Sequence, residues 1–255
     1  MDINAAFNLT KLHFQSNVGW IPIGWVGPSG VGKTTMAKKL AGELGKEFVY
    51  LPVRTDDVLG INLPNKGNTE IEFVPHKRLK PAIDKPAIVY LDEVNRCDRY
   101  SRFALMELTG ERTIGGYKLH PETNIIITCN DESEENDVNE VDNPFKTRII
   151  PVPILGTLAD TVKYAEQEQL PMLQAFFTRF PNLLNKEISW EMKADRRFIT
   201  YLSLVHKEGA IPPAEFQEIV KFSLGKEYGQ VFLEQEIEPR KIFASNSMET
   251  FCLGL

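Results

Sequence analysis

The first stretch of the chain whose residue types and spacing could carry chemistry lies near its start. Residues 27–34 read GPSGVGKT, which fits the pattern G-x-x-x-x-G-K-[ST] at every fixed position. Glycines let the backbone pass close to oxygen anions, and the N–H groups of such a turn point at phosphates from a helix N-terminus. In this pattern Lys33 reaches the β- and γ-phosphates, and the Thr34 hydroxyl holds Mg²⁺. The stretch therefore predicts nucleotide binding by a loop made of Gly27, Pro28, Ser29, Gly30, Val31, Gly32, Lys33, Thr34 and Thr35.

A pair of acidic residues follows an apolar run further along the chain. Residues 87–91 read AIVYL and precede Asp92 and Glu93. Such a run is typical of a strand buried on both faces of a parallel sheet. Ligands of open α/β sheets lie at the carboxyl ends of the strands, so we expect both acids beside the phosphate loop. Because side chains alternate along a strand, we expect Asp92 to hold Mg²⁺ through its waters and Glu93 to polarise the attacking water.

A second apolar run ends in an amide. Residues 124–130 read NIIITCN, which predicts another buried parallel strand that ends at Asn130. The Asn130 amide is a candidate for aligning the attacking water or for contacting the γ-phosphate. The alternative for an asparagine at a strand end is a turn former.

The elements that must position these residues alternate between strand and helix. A short strand at 21–26 precedes the loop, a helix follows it as far as Gly45, and further strands are predicted at 48–51 and 148–152. Residues 55–80 are polar and rich in Gly, Pro and Asn, and a connection of this length is typical of a functional or disordered loop. Two adjacent glycines between short flanks predict a small hairpin around Gly115.

From about residue 157 the pattern becomes helical only. Apolar residues recur at helical spacing in four stripes, which we interpret as packing surfaces. The fold class predicted is α/β, with a five-stranded parallel core at residues 1–155 and a smaller all-helical domain at 156–255. The stripes are Leu173, Phe176, Phe177 and Phe180; Phe198, Tyr201, Leu202 and Val205; Phe216, Ile219 and Val220; and Tyr228, Val231 and Phe232.

Composition bounds the class of protein. The 255 residues carry a formal net charge of −6 and a pI near 5.4, which argues against sequence-independent binding to nucleic acid over a broad surface. No apolar run approaches the ~20 residues of a membrane span, and the start lacks a basic leader region, so a cytoplasmic location and no membrane partner are expected. The 3 widely spaced cysteines predict reduced thiols.

In this order, the phosphate loop, the acidic pair, Asn130, Arg148 and the helical C-terminal portion resemble the AAA+ ATPases. Within that group the chain resembles the MoxR branch most closely in residues 56–60 (DDVLG), 73–75 (FVP) and 91–96 (LDEVNR) and in the hairpin with its two glycines. Stretches near residues 164–165 and 181–184 are similar to small relatives that work with von Willebrand factor A-type partners.

The resemblance implies ATP and Mg²⁺ as cofactors and a P-loop AAA+ core with a helical lid. It implies that Asn130 is the first sensor and that Arg148 is an arginine finger acting on a neighbouring subunit. A homo-oligomeric ring, commonly a hexamer, follows from that role. The alternative for Arg148 is a surface ion pair.

The second sensor departs from the family pattern. Relatives usually open the lid helix with Ser-Pro-Arg, whereas residues 194–197 read ADRR here. Asp195 is expected to cap the helix, and Arg196 and Arg197 remain alternatives for the contact with the γ-phosphate. The resemblance also implies that residues 55–80 and the hairpin at 111–120 contact a remodelled partner.

Three functions are compatible with these residues. The first is a ring-forming ATPase that remodels or activates a protein partner. The second is an AAA+ nucleic-acid motor or loader, for which Lys77, Arg78 and Lys80 offer a basic strip. The third is a nucleotide-binding scaffold with little turnover, which the intact pair of Asp92 and Glu93 disfavours.

Overall fold

The computed structural model describes residues 1–53, 60–64, 67, 69–97, 99–129, 143–184 and 195–234. The chain divides into two compact units, Met1–Leu155 and Gly156–Leu255.

A five-stranded parallel sheet forms the centre of the first unit, as the sequence predicts. Its strand order is β2-β5-β8-β1-β9, and two antiparallel pairs, β3-β4 and β6-β7, lie outside it. The first and last predicted strands each begin two residues late, at Ile23 and Ile150. The strands are β1 Ile23–Val26, β2 Glu47–Pro52, β3 Gly60–Pro64, β4 Ile71–Pro75, β5 Ala87–Asp92, β6 Thr113–Ile114, β7 Tyr117–Lys118, β8 Asn124–Cys129 and β9 Ile150–Pro153.

A side chain or a glycine caps some of the helix ends. Asp2 caps the first helix by accepting the Ala5 N–H at 2.8 Å, and Gly45 follows the second with φ 64°. No helix within the described residues is long and apolar enough to cross a membrane. The helices of the first unit are α1 Ile3–Phe14, α2 Lys33–Glu43, α3 Lys80–Asp84, α4 Arg99–Gly110 and α5 Asn143–Lys146. Those of the second are α6 Leu158–Gln167, α7 Pro171–Arg179, α8 Arg196–Glu208 and α9 Pro213–Glu234.

The central sheet is buried on both faces. Along β5, Ile88 and Tyr90 pack into one apolar cluster with residues of β1 and α2, whereas Val89 and Leu91 pack into the other with residues of α4. This alternation is the reason that the strand reads as a continuous apolar run. It also assigns Asp92, two residues after Tyr90, to the face that carries α2.

The segment predicted as a long polar connection, residues 55–80, contains regular structure, and that prediction was wrong. Strands β3 and β4 pair as an antiparallel hairpin in which Asn62 lies opposite Phe73. A Cβ added at Gly115, in the turn between β6 and β7, would overlap the Phe73 ring. The two hairpins therefore pack against each other, with the Phe73 ring lying against Gly115. The predicted turn itself is confirmed, since Gly115 and Gly116 have φ of 52° and 85°.

The second unit is helical, as predicted, and its core is largely aromatic. Phe176 lies edge-on to Phe177 with ring centroids 5.3 Å apart and approaches Phe232 at 5.9 Å. Two members of the predicted stripes are wrong as core residues, because Tyr201 and Ile219 are exposed. The third and fourth predicted helices form α9, which breaks at a non-helical glycine, Gly225.

A matched pair of glycine substitutions tests the contact between the hairpins. We expect Gly115→Ala to lower the free energy of unfolding by about 1–3 kcal/mol more than Gly116→Ala, because only the first adds an overlap with Phe73. Both changes carry the cost of a positive φ, so the difference isolates the packing. Urea unfolding monitored by tryptophan fluorescence measures it, and equal losses in the two variants would contradict the packing.

Candidate functional site

The phosphate loop connects β1 to α2 and has the shape that an anion cradle needs. Gly30 and Gly32 have φ of 78° and 98°, a region that other residues rarely adopt. Gly27 has a different constraint, since a Cβ at that position would overlap the carbonyl group of Ile154. The Gly27 N–H donates to the Cys129 carbonyl at 3.2 Å. The loop is thus held between β8 and the end of β9.

The remaining loop residues differ in exposure. Pro28 and Ser29 are half-buried, Val31 is buried, and on the first turn of α2 Thr34 is half-buried whereas Thr35 is exposed. The residues predicted for the loop thus span the turn itself and the first turn of α2.

Lys33 folds back over its own loop. Its Nζ donates to the Gly27 carbonyl at 2.6 Å and to the Pro28 carbonyl at 3.0 Å, and the residue is only 8% exposed. A buried ammonium group requires hydrogen-bond acceptors, and the loop carbonyls supply them. The charge that would attract phosphate oxygens is therefore located inside the loop.

Asp92 ends β5 with both carboxylate oxygens accepting hydrogen bonds. Oδ1 accepts from the Thr128 hydroxyl at 2.7 Å, and Oδ2 accepts from the Tyr50 hydroxyl at 2.8 Å. Tyr50 lies on β2 and Thr128 on β8, the two strands that flank β5. The carboxylate is therefore held from both neighbouring strands.

Glu93 leaves the strand through an unusual backbone conformation. Its φ of 55° and ψ of 48° are left-handed, which is uncommon for a residue with a long side chain and marks functional sites. The Glu93 N–H donates to the Thr128 hydroxyl oxygen at 3.1 Å. One threonine thus anchors both members of the acidic pair.

Hydroxyl groups link the loop to the acidic pair. The Thr34 and Tyr90 hydroxyls are hydrogen-bonded at 3.1 Å, and Tyr90 also interacts with Thr128. Burial raises the pKa of the Tyr90 hydroxyl above its ordinary value. Thr34 and Asp92, the two candidate metal ligands, are therefore connected through Tyr90 and Thr128.

The sequence analysis missed Tyr50, Tyr90 and Thr128. Tyr90 precedes Asp92 by two positions and Thr128 precedes Asn130 by two, so both share a strand face with a predicted site residue. This two-residue spacing could have identified Tyr90 and Thr128 from the sequence. Tyr50 had no comparable signal, because its place opposite Tyr90 depends on the register of β2 with β5.

Arg148 lies in the turn between α5 and β9 and is exposed. Its guanidinium donates to the Pro144 carbonyl, and a Cβ added at Gly110 would lie 3.0 Å from its Nε. The absence of a side chain at the end of α4 thus leaves room for this arginine. Asn130 lies outside the described residues.

The two candidate second sensors differ in environment within the second unit. Asp195 caps α8 as predicted and accepts the Phe198 N–H at 2.7 Å. Arg196 is buried and Arg197 is exposed. Burial lowers the pKa of the Arg196 guanidinium, and the charge of Asp160 opposes that shift.

The donor set fits Mg²⁺ bound together with phosphates. Thr34 and Asp92 offer hydroxyl and carboxylate oxygens, which are the ligands that this ion prefers. In the part of the chain that the structure describes, no group of three or more His, Cys, Asp or Glu side chains is placed to hold a metal. Cys97 and Cys129 carry reduced thiols rather than a disulfide.

The strand order and the loop together define the class of protein, a P-loop nucleotide-binding α/β domain. Comparison with known families makes the class more specific. Residues 25–149 match the model of the AAA domain, dynein-related subfamily, and the chain has the AAA+ P-loop fold. The matched range includes Lys33, Asp92, Glu93 and Arg148.

Solved structures of low sequence identity resemble the chain. A candidate ATPase from Cytophaga hutchinsonii is 17% identical, with a TM-score of 0.42 over 92% of this chain and 88% of that one. RuvB from Thermotoga maritima, a point mutant, is 12% identical, with a TM-score of 0.48 over 91% and 66%. NtrX from Brucella abortus is 15% identical, with a TM-score of 0.47 over 87% and 59%. No curated protein matches the chain in sequence.

Replacing Thr128 tests the anchor of the acidic pair. We expect Thr128→Val to lower the free energy of unfolding by about 1–3 kcal/mol, because the Glu93 N–H loses its acceptor and Asp92 loses a donor. Valine keeps the shape of threonine, so little packing changes. Thr128→Ser, which keeps the hydroxyl, is the control. Urea unfolding measures both variants, and equal losses would assign the effect to packing instead.

Proposed function

We propose that the chain is a Mg²⁺-dependent AAA+ ATPase of the MoxR type, which forms a ring and couples ATP hydrolysis to the remodelling or activation of a protein partner. One observation carries the nucleotide part of this proposal. Thr34, the residue after Lys33 in the phosphate loop, is connected to Asp92 and Glu93 through the hydroxyl groups of Tyr90 and Thr128. A solvated acidic pair with no role in catalysis would not need such anchoring to the loop.

The residues of the loop would bind the nucleotide. Backbone N–H groups of residues 27–35 would contact the phosphates, and Lys33 Nζ would exchange the Gly27 and Pro28 carbonyls for phosphate oxygens. Thr34 and Asp92 would hold Mg²⁺, which neutralises charge on the transferred phosphoryl group. The choice of ATP rests on the family.

Glu93 would act as the base that orients and polarises the attacking water. Its left-handed backbone, fixed by the bond to Thr128, supports a role different from that of Asp92. Asn130 would align the same water or contact the γ-phosphate, and Arg196 or Arg197 would be the second sensor.

Arg148 would complete the site of a neighbouring subunit. Its exposure on the first unit supports this role, because a finger that acts in trans must be able to reach another copy. A homo-oligomer, hexameric in most of the family, follows from that role.

The packed hairpins would contact the remodelled partner, for which a von Willebrand factor A-type protein is the class that the MoxR resemblance suggests. The exposed apolar side chains on β3 and β4 support this role, since exposed apolar clusters mark interaction sites. Ile61, Leu63 and Val74 are exposed and, by the strand register, share one face of the hairpin. Ile71, which is 76% exposed, lies on the other face.

Removing the base without removing the site tests the hydrolysis step. We expect Glu93→Gln to bind ATP with the affinity of the wild type and to hydrolyse it at least about 100-fold more slowly, because the amide cannot accept the proton. Calorimetry with a nonhydrolysable analogue measures binding, and phosphate release measures turnover.

Glu166→Gln is the matched control, because Glu166 is an exposed residue of the second unit on α6. It should hydrolyse ATP at the rate of the wild type. Normal turnover in Glu93→Gln would remove Glu93 from the mechanism.

Mixing two inactive variants tests the role of Arg148 in trans. Arg148→Ala alone should lose about 10³-fold in turnover while it keeps ATP binding. An equimolar mixture with Glu93→Gln should regain activity, because some interfaces then combine an intact Glu93 with an intact Arg148 from the other copy. Lys146→Ala, on the adjacent helix, should resemble the wild type. A mixture no more active than its components would refute the trans role.

A nucleic-acid motor is the second candidate. The observation that favours it is the exposure of Lys77 and Arg78, between β4 and α3, and of Lys80, the first residue of α3. Strong stimulation of hydrolysis by single- or double-stranded DNA, lost on replacing these three residues by Ala, would select this function.

A further inference from the structure

The hydroxyl of Tyr50 contacts the carboxylate that we assign to magnesium. Strands β2 and β5 pair in parallel with Tyr50 opposite Tyr90 and Pro52 opposite Asp92. Side chains two positions apart share a face, and an aromatic side chain reaches the diagonal neighbour on the next strand. Tyr50 therefore lies diagonal to Asp92, and its hydroxyl donates to Oδ2 at 2.8 Å.

The position of that hydroxyl is fixed by the ring that carries it. The Tyr50 ring stacks on the Tyr90 ring, with centroids 5.9 Å apart and an interplanar angle of 19°. Tyr90 is fully buried and is itself bonded to Thr34. A side chain that is 36% exposed is thus held against a rigid neighbour, and its donor cannot swing freely away from Asp92.

The hydrogen bond from Tyr50 bears on metal binding because it holds the Asp92 carboxylate while both of its oxygens can still accept. Each carboxylate oxygen can accept about two hydrogen bonds, so Tyr50 on Oδ2 and Thr128 on Oδ1 leave capacity on both oxygens. Groups that hold a ligand carboxylate in place raise metal affinity, because the ligand does not have to be ordered on binding. The two hydroxyls come from opposite sides of β5 and fix the carboxylate plane.

We infer that Tyr50 is a positioning residue of the magnesium site, which acts by holding Oδ2 of Asp92 in the orientation that binds the hydrated ion. The inference rests on the proposed function and adds to it a residue from β2. Tyr50 would not touch the nucleotide. Its effect should therefore appear only when Mg²⁺ is present.

The test compares nucleotide affinity with and without the metal. Tyr50→Phe removes the hydroxyl and keeps the ring on Tyr90, so the fold is retained. The dissociation constant of ADP is measured by calorimetry in Mg²⁺ and again in EDTA, and the ratio gives the contribution of the metal. We expect this ratio to fall about tenfold in Tyr50→Phe, with the affinity in EDTA unchanged.

Tyr201→Phe is the matched control, since Tyr201 is an exposed tyrosine on α8, and its ratio should equal that of the wild type. An unchanged ratio in Tyr50→Phe, with a normal metal effect in the wild type, would overturn this inference alone. Equal losses in Mg²⁺ and in EDTA would also overturn it, because they indicate a structural role. A wild-type chain that binds no nucleotide, or gains nothing from Mg²⁺, would overturn the proposed function together with the inference.

Discussion

The Thr128 hydroxyl is the contact on which the geometry of the candidate site depends. It donates to Asp92 and accepts from the backbone N–H of Glu93. Thr128 lies on β8, which pairs with β5, the strand that leads to both acids. Because β8 separates β5 from β1 in the sheet, this threonine stands between the acidic pair and the strand that leads into the phosphate loop. A single side chain thereby relates two motifs that are distant in sequence.

Backbone conformation and one buried charge shape the phosphate loop. Gly30 and Gly32 supply backbone conformations that other residues resist, and Gly27 makes room for the Ile154 carbonyl. Lys33 turns its ammonium group inward onto the carbonyls of the same loop. The carbonyls offset the cost of burying the charge, and the charge in turn holds the loop closed.

The two hairpins differ from the central sheet in how far their strands are exposed. Their strands are short and mostly exposed, and the Phe73 ring of one hairpin lies against Gly115 of the other. Apolar side chains that the central sheet would bury are presented outward on β3 and β4. A surface of this composition is suited to contact another protein, whereas the sheet is suited to hold the site rigid.

The sequence by itself determined the features that are local. The phosphate loop is a run of consecutive residues, and the strands buried on both faces are continuous apolar runs, so pattern and period were enough to predict the sheet and the acidic pair at its edge.

The tertiary structure alone decided which side chains meet. Tyr50 is 42 residues from Asp92 and Thr128 is 36 residues from it, and only strand register brings them within hydrogen-bond distance. The hairpin at β3 and β4 was missed because Gly, Pro and Asn in this segment favour turns over strands. The contact of Phe73 with Gly115 joins residues far apart in sequence, so no local pattern predicts it. Tyr201 and Ile219 have core spacing yet remain exposed, while Leu202 and Val220 of the same stripes are buried. Spacing selects a helix face, and only packing decides which residues of that face are covered.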